Sequence, residues 1–117
     1  MKKIFAIMVF VSSLFLAYGA DNPTFPGGEE AMNKFISENT KYPDNPKEMG
    51  VEGVVSVGFL VEKDGSLKNL KVLKFVDPDL EKEALRVVGS MPPWIPAEKD
   101  GAAIEAPAKV DVPFILE

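Results

Sequence analysis

Cysteine and histidine are both absent from this 117-residue chain, and tryptophan occurs once. Without cysteine there is no disulfide and no N-terminal lipid attachment of the lipoprotein kind. Without histidine there is no Ser-His-Asp or Cys-His nucleophile system, no His-ligated zinc and no proton shuttle near neutral pH. Positive charge is also scarce: 13 basic residues face 18 acidic ones, for a net charge of −5. Such a balance disfavours nucleic acid and anionic membrane as partners and favours a basic peptide. These absences remove the commonest nucleophile and metal systems, and no cofactor and no small-molecule substrate is expected.

What is present begins with Met1-Lys2-Lys3, an uncharged apolar run from Ile4 to Ala17, and the small residues Gly19 and Ala20. A charged n-region, an h-region and a small-residue zone predict a secretory signal over residues 1–20, cleaved after Gly19. An uncleaved inner-membrane anchor is the alternative, but a spanning helix wants roughly 20 apolar residues and this run is shorter. Cleavage removes Lys2 and Lys3 and leaves 11 basic residues against 18 acidic, a net charge of −7. The remaining chain is one small domain's worth.

Residues 21–40 read as a Pro/Gly lead-in, DNPTFPGG, followed by an amphipathic helix from Glu29 to Asn39. Met32, Phe35 and Ile36 supply its apolar stripe, and Glu29 and Glu30 sit in the first turn where the helix dipole favours carboxylates. Pro43 and Pro46 then break the chain, with a single helical turn expected around Pro46 to Met49. Val54 to Val61 is apolar on both parities, as suits a central strand. Lys63-Asp64-Gly65 makes a hairpin turn, and Leu67 to Val76 returns as a second strand. Asp77-Pro78 opens a second helix well, with Asp77 as cap and Pro78 in the first helical position. Leu80, Ala84, Val87 and Val88 fall on one stripe of it, and Gly89 and Pro92-Pro93 end it.

The tail alternates. Ile104, Ala106, Ala108, Val110, Val112, Phe114 and Leu116 share one parity, and Glu105, Pro107, Lys109, Asp111 and Pro113 the other. A half-buried strand is predicted, and prolines on its exposed parity place it at a sheet edge. Pro107 and Pro113 remove two donors from the odd-numbered side, so that side is expected to be open. Lys109 and Asp111 then offer their backbone groups to an incoming strand on either side of Val110. The alternative is that the prolines only blunt the edge against aggregation.

Other candidates weigh less. Asp77, Asp79, Glu81 and Glu83 could be drawn as a Ca²⁺ or Mg²⁺ site, but an acidic first turn is what the helix dipole favours, and no metal site is expected. Trp94, framed by Pro93 and Ile95-Pro96, is either an interaction anchor or a core plug. Tyr42-Pro43 carries the same ambiguity.

An ordered set of motifs resembles the C-terminal domain family of TonB, in the form common in Bacteroidetes. The matching pieces are Tyr42-Pro43, Gly50 to Val55, Phe59 to Leu67, Ala84-Leu85, Met91 to Pro96, Lys99-Asp100-Gly101 and Val112-Pro113-Phe114, with a P-G-G lead upstream. The resemblance implies an α+β fold over residues 41–117: a three-stranded antiparallel sheet with two helices packed on one face. It further implies a periplasmic protein-binding domain that recognises an extended segment of a TonB-dependent outer-membrane receptor by strand addition, in energy-coupled transport or its modulation. Lys109, Val110, Asp111, Tyr42, Pro43 and Trp94 are the candidate partner-binding residues, and a homodimer is a further candidate assembly. Full-length TonB proteins carry a histidine-bearing anchor helix and a long Pro-rich spacer; here there is no histidine, and only DNPTFPGG precedes the first helix. The reading from a different class is an exported inhibitor or hydrolase scaffold unrelated to transport.

Overall fold

The computed structural model describes residues 22–117, so the expected signal segment lies outside the described residues. Three helices are present among them, α1 (Gly28–Asn39), α2 (Asp44–Glu48) and α3 (Pro78–Gly89). The strands are β1 (Gly53–Val61), β2 (Leu67–Val72), β3 (Ala97–Lys99), β4 (Ala102–Ile104) and β5 (Ala106–Phe114). β2, β1 and β5 form an antiparallel sheet in that spatial order, and β3 pairs with β4 in a separate hairpin. This is the expected α+β architecture, with the two long helices and the short α2 turn covering the sheet.

Local chemistry explains α3. The Asp77 carboxylate accepts hydrogen bonds from the amides of Asp79 (2.9 Å) and Leu80 (3.2 Å), and Pro78 occupies the first turn. Leu80, Ala84, Val87 and Val88 are all fully buried. Leu80, Ala84 and Val88 pack with Val55, Val57, Phe59 and Val61 of β1 and with Val110, Val112 and Phe114 of β5. Full burial of one such aliphatic side chain stabilises the fold by about 1.5–3 kcal/mol, so this stripe dominates the attachment of α3 to the sheet.

The lead-in is more ordered than its composition predicts. Thr24 exchanges backbone hydrogen bonds with Ile95 at 3.0 and 2.8 Å, and Phe25 is buried against Phe35 and Trp94. Aromatic burial outweighs the Pro/Gly bias there.

Two strand readings change. The second strand stops at Val72 and carries a bulge: Gly58 pairs with Lys71 and Leu60 with Lys68, so Phe59 alone faces both Asn69 and Leu70. Asn69 is left-handed (φ 57°) and absorbs the extra residue. The bulge brings Leu67, Leu70 and Val72 to the core side together, while Leu73 and Phe75 lie exposed beyond it. The tail, expected as one strand from Ile104, is divided. Asp100 and Gly101 both take positive φ (55° and 81°), the geometry of a two-residue hairpin turn, and fold Ala102–Ile104 back onto Ala97–Lys99. After Glu105, β5 runs unbroken to Phe114, and the Leu116 amide then donates to Glu52 Oε2.

Candidate peptide-docking edge

β5 pairs with β1 along its whole length, from Gly53↔Phe114 to Val61↔Ala106, and has no strand on its other side among the described residues. Val110, Val112 and Phe114 point into the core; Lys109 and Asp111 are exposed on the opposite face.

The direction of the β5 backbone follows from a bond on the far side of β1. Leu73 N–H donates to the Ser56 carbonyl at 2.8 Å, so Ser56 turns its backbone groups toward β2. Alternation along β1 then directs Val55 and Val57 toward β5, where their register partners are Val112 and Val110. The backbone groups of Lys109 and Asp111 therefore point outward. Pro107 and Pro113 share that parity, so the prolines fall where no donor to β1 is needed. Ser56 and Asp111 form a closely spaced pair, and the Ser56 hydroxyl donates to Asp111 Oδ1 at 2.7 Å.

Tyr42 supports the far end of the strand. Its ring meets Phe114 edge to face at 5.6 Å, and its hydroxyl donates to the Val51 carbonyl. Partial burial, with the Glu52 and Asp77 carboxylates adding, holds the phenol above its ordinary pKa. Pro43 caps α2 beside the junction of α1 and α3, where Glu83 accepts from the Lys41 amide (2.7 Å) and pairs with Arg86, and Arg86 donates to the Asn39 carbonyl (2.7 Å). Trp94 is elsewhere. It is 6% exposed and packs edge to face with Phe25 and Phe59, the position of a core plug and not of an exposed anchor. Three of the four carboxylates drawn as a metal site are occupied locally, Asp77 as a cap, Glu81 on the Val76 amide and Glu83 on Arg86.

The structure therefore brings Lys109, Asp111 and Tyr42 to one edge and corrects the other three candidates: Val110 turns its side chain into the core and its backbone toward β1, Pro43 lines a separate depression with Asp79, Lys82, Glu83 and Arg86, and Trp94 is interior. Sequence reasoning missed the wall of that edge. A depression of about 450 Å³ runs between α1 (Asn33, Ile36, Ser37) and Thr40, Tyr42, Asp111, Pro113 and Phe114. Its signal was present in the i, i+4, i+7 spacing of Asn33, Ser37 and Thr40 beside the apolar stripe.

A family model for the Gram-negative bacterial TonB protein C-terminal matches residues 38–116. Protein TonB of Haemophilus influenzae is 36% identical over 86 residues, covering 68% of this chain; the chain spans about a third (32%) of that relative's length. Two solution structures of the Helicobacter pylori TonB C-terminal domain superpose with TM-scores of 0.60 and 0.54, each at 26% identity, covering 79% and 74% of this chain and 87% and 94% of theirs. By its motifs, its sheet order and these matches, the chain belongs to the TonB C-terminal family of Gram-negative bacteria.

Proposed function

We propose that this chain is the receptor-facing domain of a TonB-type energy-transducing system. Exported to the periplasm, it takes up an extended segment of a TonB-dependent outer-membrane receptor as a fourth strand against β5. Its role is to bind and transmit, with no catalytic step. The observation that carries the reading is the outward backbone of Lys109 and Asp111 on a strand paired along one side only, bracketed by Pro107 and Pro113. Two residues offer four backbone groups. At about 1 kcal/mol net per hydrogen bond they supply about 4 kcal/mol, no more than association itself costs, so measurable binding requires side chains.

The test is proline substitution on the two parities. Lys109→Pro and Asp111→Pro delete outward donors and should abolish capture of a synthetic receptor segment while leaving the thermal transition in place. Val110→Pro deletes an inward donor and should destabilise the sheet. Amide chemical shifts on titration with the segment should move first at Lys109 and Asp111. Binding that survives both outward prolines refutes the reading. Shifts at the same residues that grow with protein concentration alone would instead identify a homodimer through this edge.

A further inference from the structure

We propose that Lys109 makes this edge selective for a segment bearing a carboxylate side chain directly opposite it, flanked by apolar residues. The inference rests on the strand-addition reading above and names the chemistry of its partner.

The register isolates Lys109. Its partner across β1 is Gly58, and the partner of Gly58 in β2 is Lys71, so one row of the outer sheet face reads Lys71, Gly58, Lys109. Glycine offers Lys109 no cross-strand side chain, and a Cβ at Gly58 would already lie 3.0 Å from the Leu73 side chain. The ion pairs among the described residues are Lys68 with Glu62, Lys68 with Glu105, and Arg86 with Glu83; neither Lys71 nor Lys109 takes part. Asp111, two residues along the same face, has its carboxylate bonded by the Ser56 hydroxyl. Of the two charges β5 presents on this face, the anion has a hydrogen-bond donor within the protein and the cation has no ion-pair partner among the described residues.

An added strand completes the row. The residue paired with Lys109 shares its face, with Cβ atoms about 4.5–5.5 Å apart, within reach of the ammonium. Its two neighbours in sequence face the other way, beside Ala108 and Val110, where apolar side chains fit the core side of the sheet. Lys71 lies three strands from the added residue, about 14 Å and beyond a Debye length, so the charge reading rests on Lys109 alone. A groove of about 560 Å³ over Gly58, lined by Leu60, Leu73 and Pro107 together with both lysines, gives the ammonium groups partly apolar surroundings. The net charge of −5 favours basic segments at long range. This row is the local exception, and it acts at contact distance.

Three synthetic peptides test it, each nine residues long to match β5, with valine at the core-facing positions, threonine elsewhere, and Glu, Gln or Lys at the central outward position. Titration into the full chain is followed by fluorescence anisotropy, with amide shifts at Lys109 and Asp111 reporting the site. The Glu peptide should bind about three-fold tighter than the Gln peptide, and the Lys peptide weakest. The order should reverse in Lys109→Glu, and the differences should shrink at high salt. If all three perturb those amides with equal affinity or in the opposite order, charge reading is wrong and strand addition stands. If none perturbs them, strand addition itself fails and this inference with it.

Discussion

Gly65 offers a sharp test of how the first hairpin is held. Its φ is +92°, and a Cβ placed there would sit 2.2 Å from the Trp94 carbonyl oxygen and 3.2 Å from the Trp94 nitrogen, both backbone atoms. Trp94 N–H also donates to the Gly65 carbonyl at 2.9 Å. Gly65→Ala therefore carries two costs: about 1–2 kcal/mol for a left-handed L-residue, and about 1 kcal/mol for the hydrogen bond lost when the hairpin moves off Trp94. The total is about 2–3 kcal/mol, a large part of the roughly 5–15 kcal/mol available to a small domain. Gly101→Ala is the matched control. Gly101 also has positive φ, but a Cβ on it would meet nothing within 4 Å, so it carries only the conformational part. Urea unfolding followed by the fluorescence of Trp94, the sole tryptophan, reads both. With a slope of about 1.5 kcal/mol per molar, the Gly65→Ala midpoint should fall by about 2 M and the Gly101→Ala midpoint by about half that. Equal losses in the two variants would refute the backbone contact as the reason for glycine at position 65.

Two further outcomes follow from side chains. Asp77→Ala removes the cap that serves the Asp79 and Leu80 amides and should lower stability by about 1 kcal/mol, with hydrogen exchange accelerated in the first turn of α3 before its last. Hydrogen bonding from Arg86 lowers the Glu83 pKa, with the Lys41 amide and the Arg86 and Lys41 charges adding, and burial opposing. The stability it contributes is therefore fully present above the ordinary glutamate range and lost as pH falls through the lowered value. Melting temperature should accordingly drop more on acidification for the wild type than for Glu83→Gln; parallel curves would show that the ion pair contributes nothing.

Elements whose causes are local were legible in the sequence. The cap, the first-turn proline and the apolar stripe of α3 all lie within its own residues, and β5 declares its buried face by alternation. Features that depend on distant partners were not. Asn69 is a residue type that tolerates left-handed φ, yet only the pairing of β2 with β1 reveals a bulge there. Ala102 to Ile104 continue the parity of β5, so alternation alone hides the turn at Asp100-Gly101, although Asp-Gly is the same dipeptide that turns the first hairpin. At the candidate edge, proline positions exposed the outward parity of Lys109 and Asp111. That Lys109 faces a glycine, and that Trp94 is interior, are consequences of register and packing that no single segment contains.

The sheet has two outer edges, and physical chemistry treats them differently. β2 is six residues long, is interrupted by the bulge at Asn69, and carries Lys68 and Lys71; shortness, local twist and lysine all discourage a new strand. β5 is nine residues long and pairs continuously with β1, which without interruption would be a template for unlimited strand growth. Pro107 and Pro113 cut its outward donors to those of Lys109 and Asp111. On the proposed strand-addition reading, blunting and docking are compatible, because the same two prolines that stop a long strand from propagating would leave room for a short one. On that argument Pro107→Ala should lengthen the usable edge by one donor. Such a variant should bind a longer peptide more tightly and, at high concentration, self-associate where the wild type stays dispersed, as sedimentation velocity would record. If Pro107→Ala changes neither peptide affinity nor association state, the proline does not bound the edge and its place in β5 has a different cause.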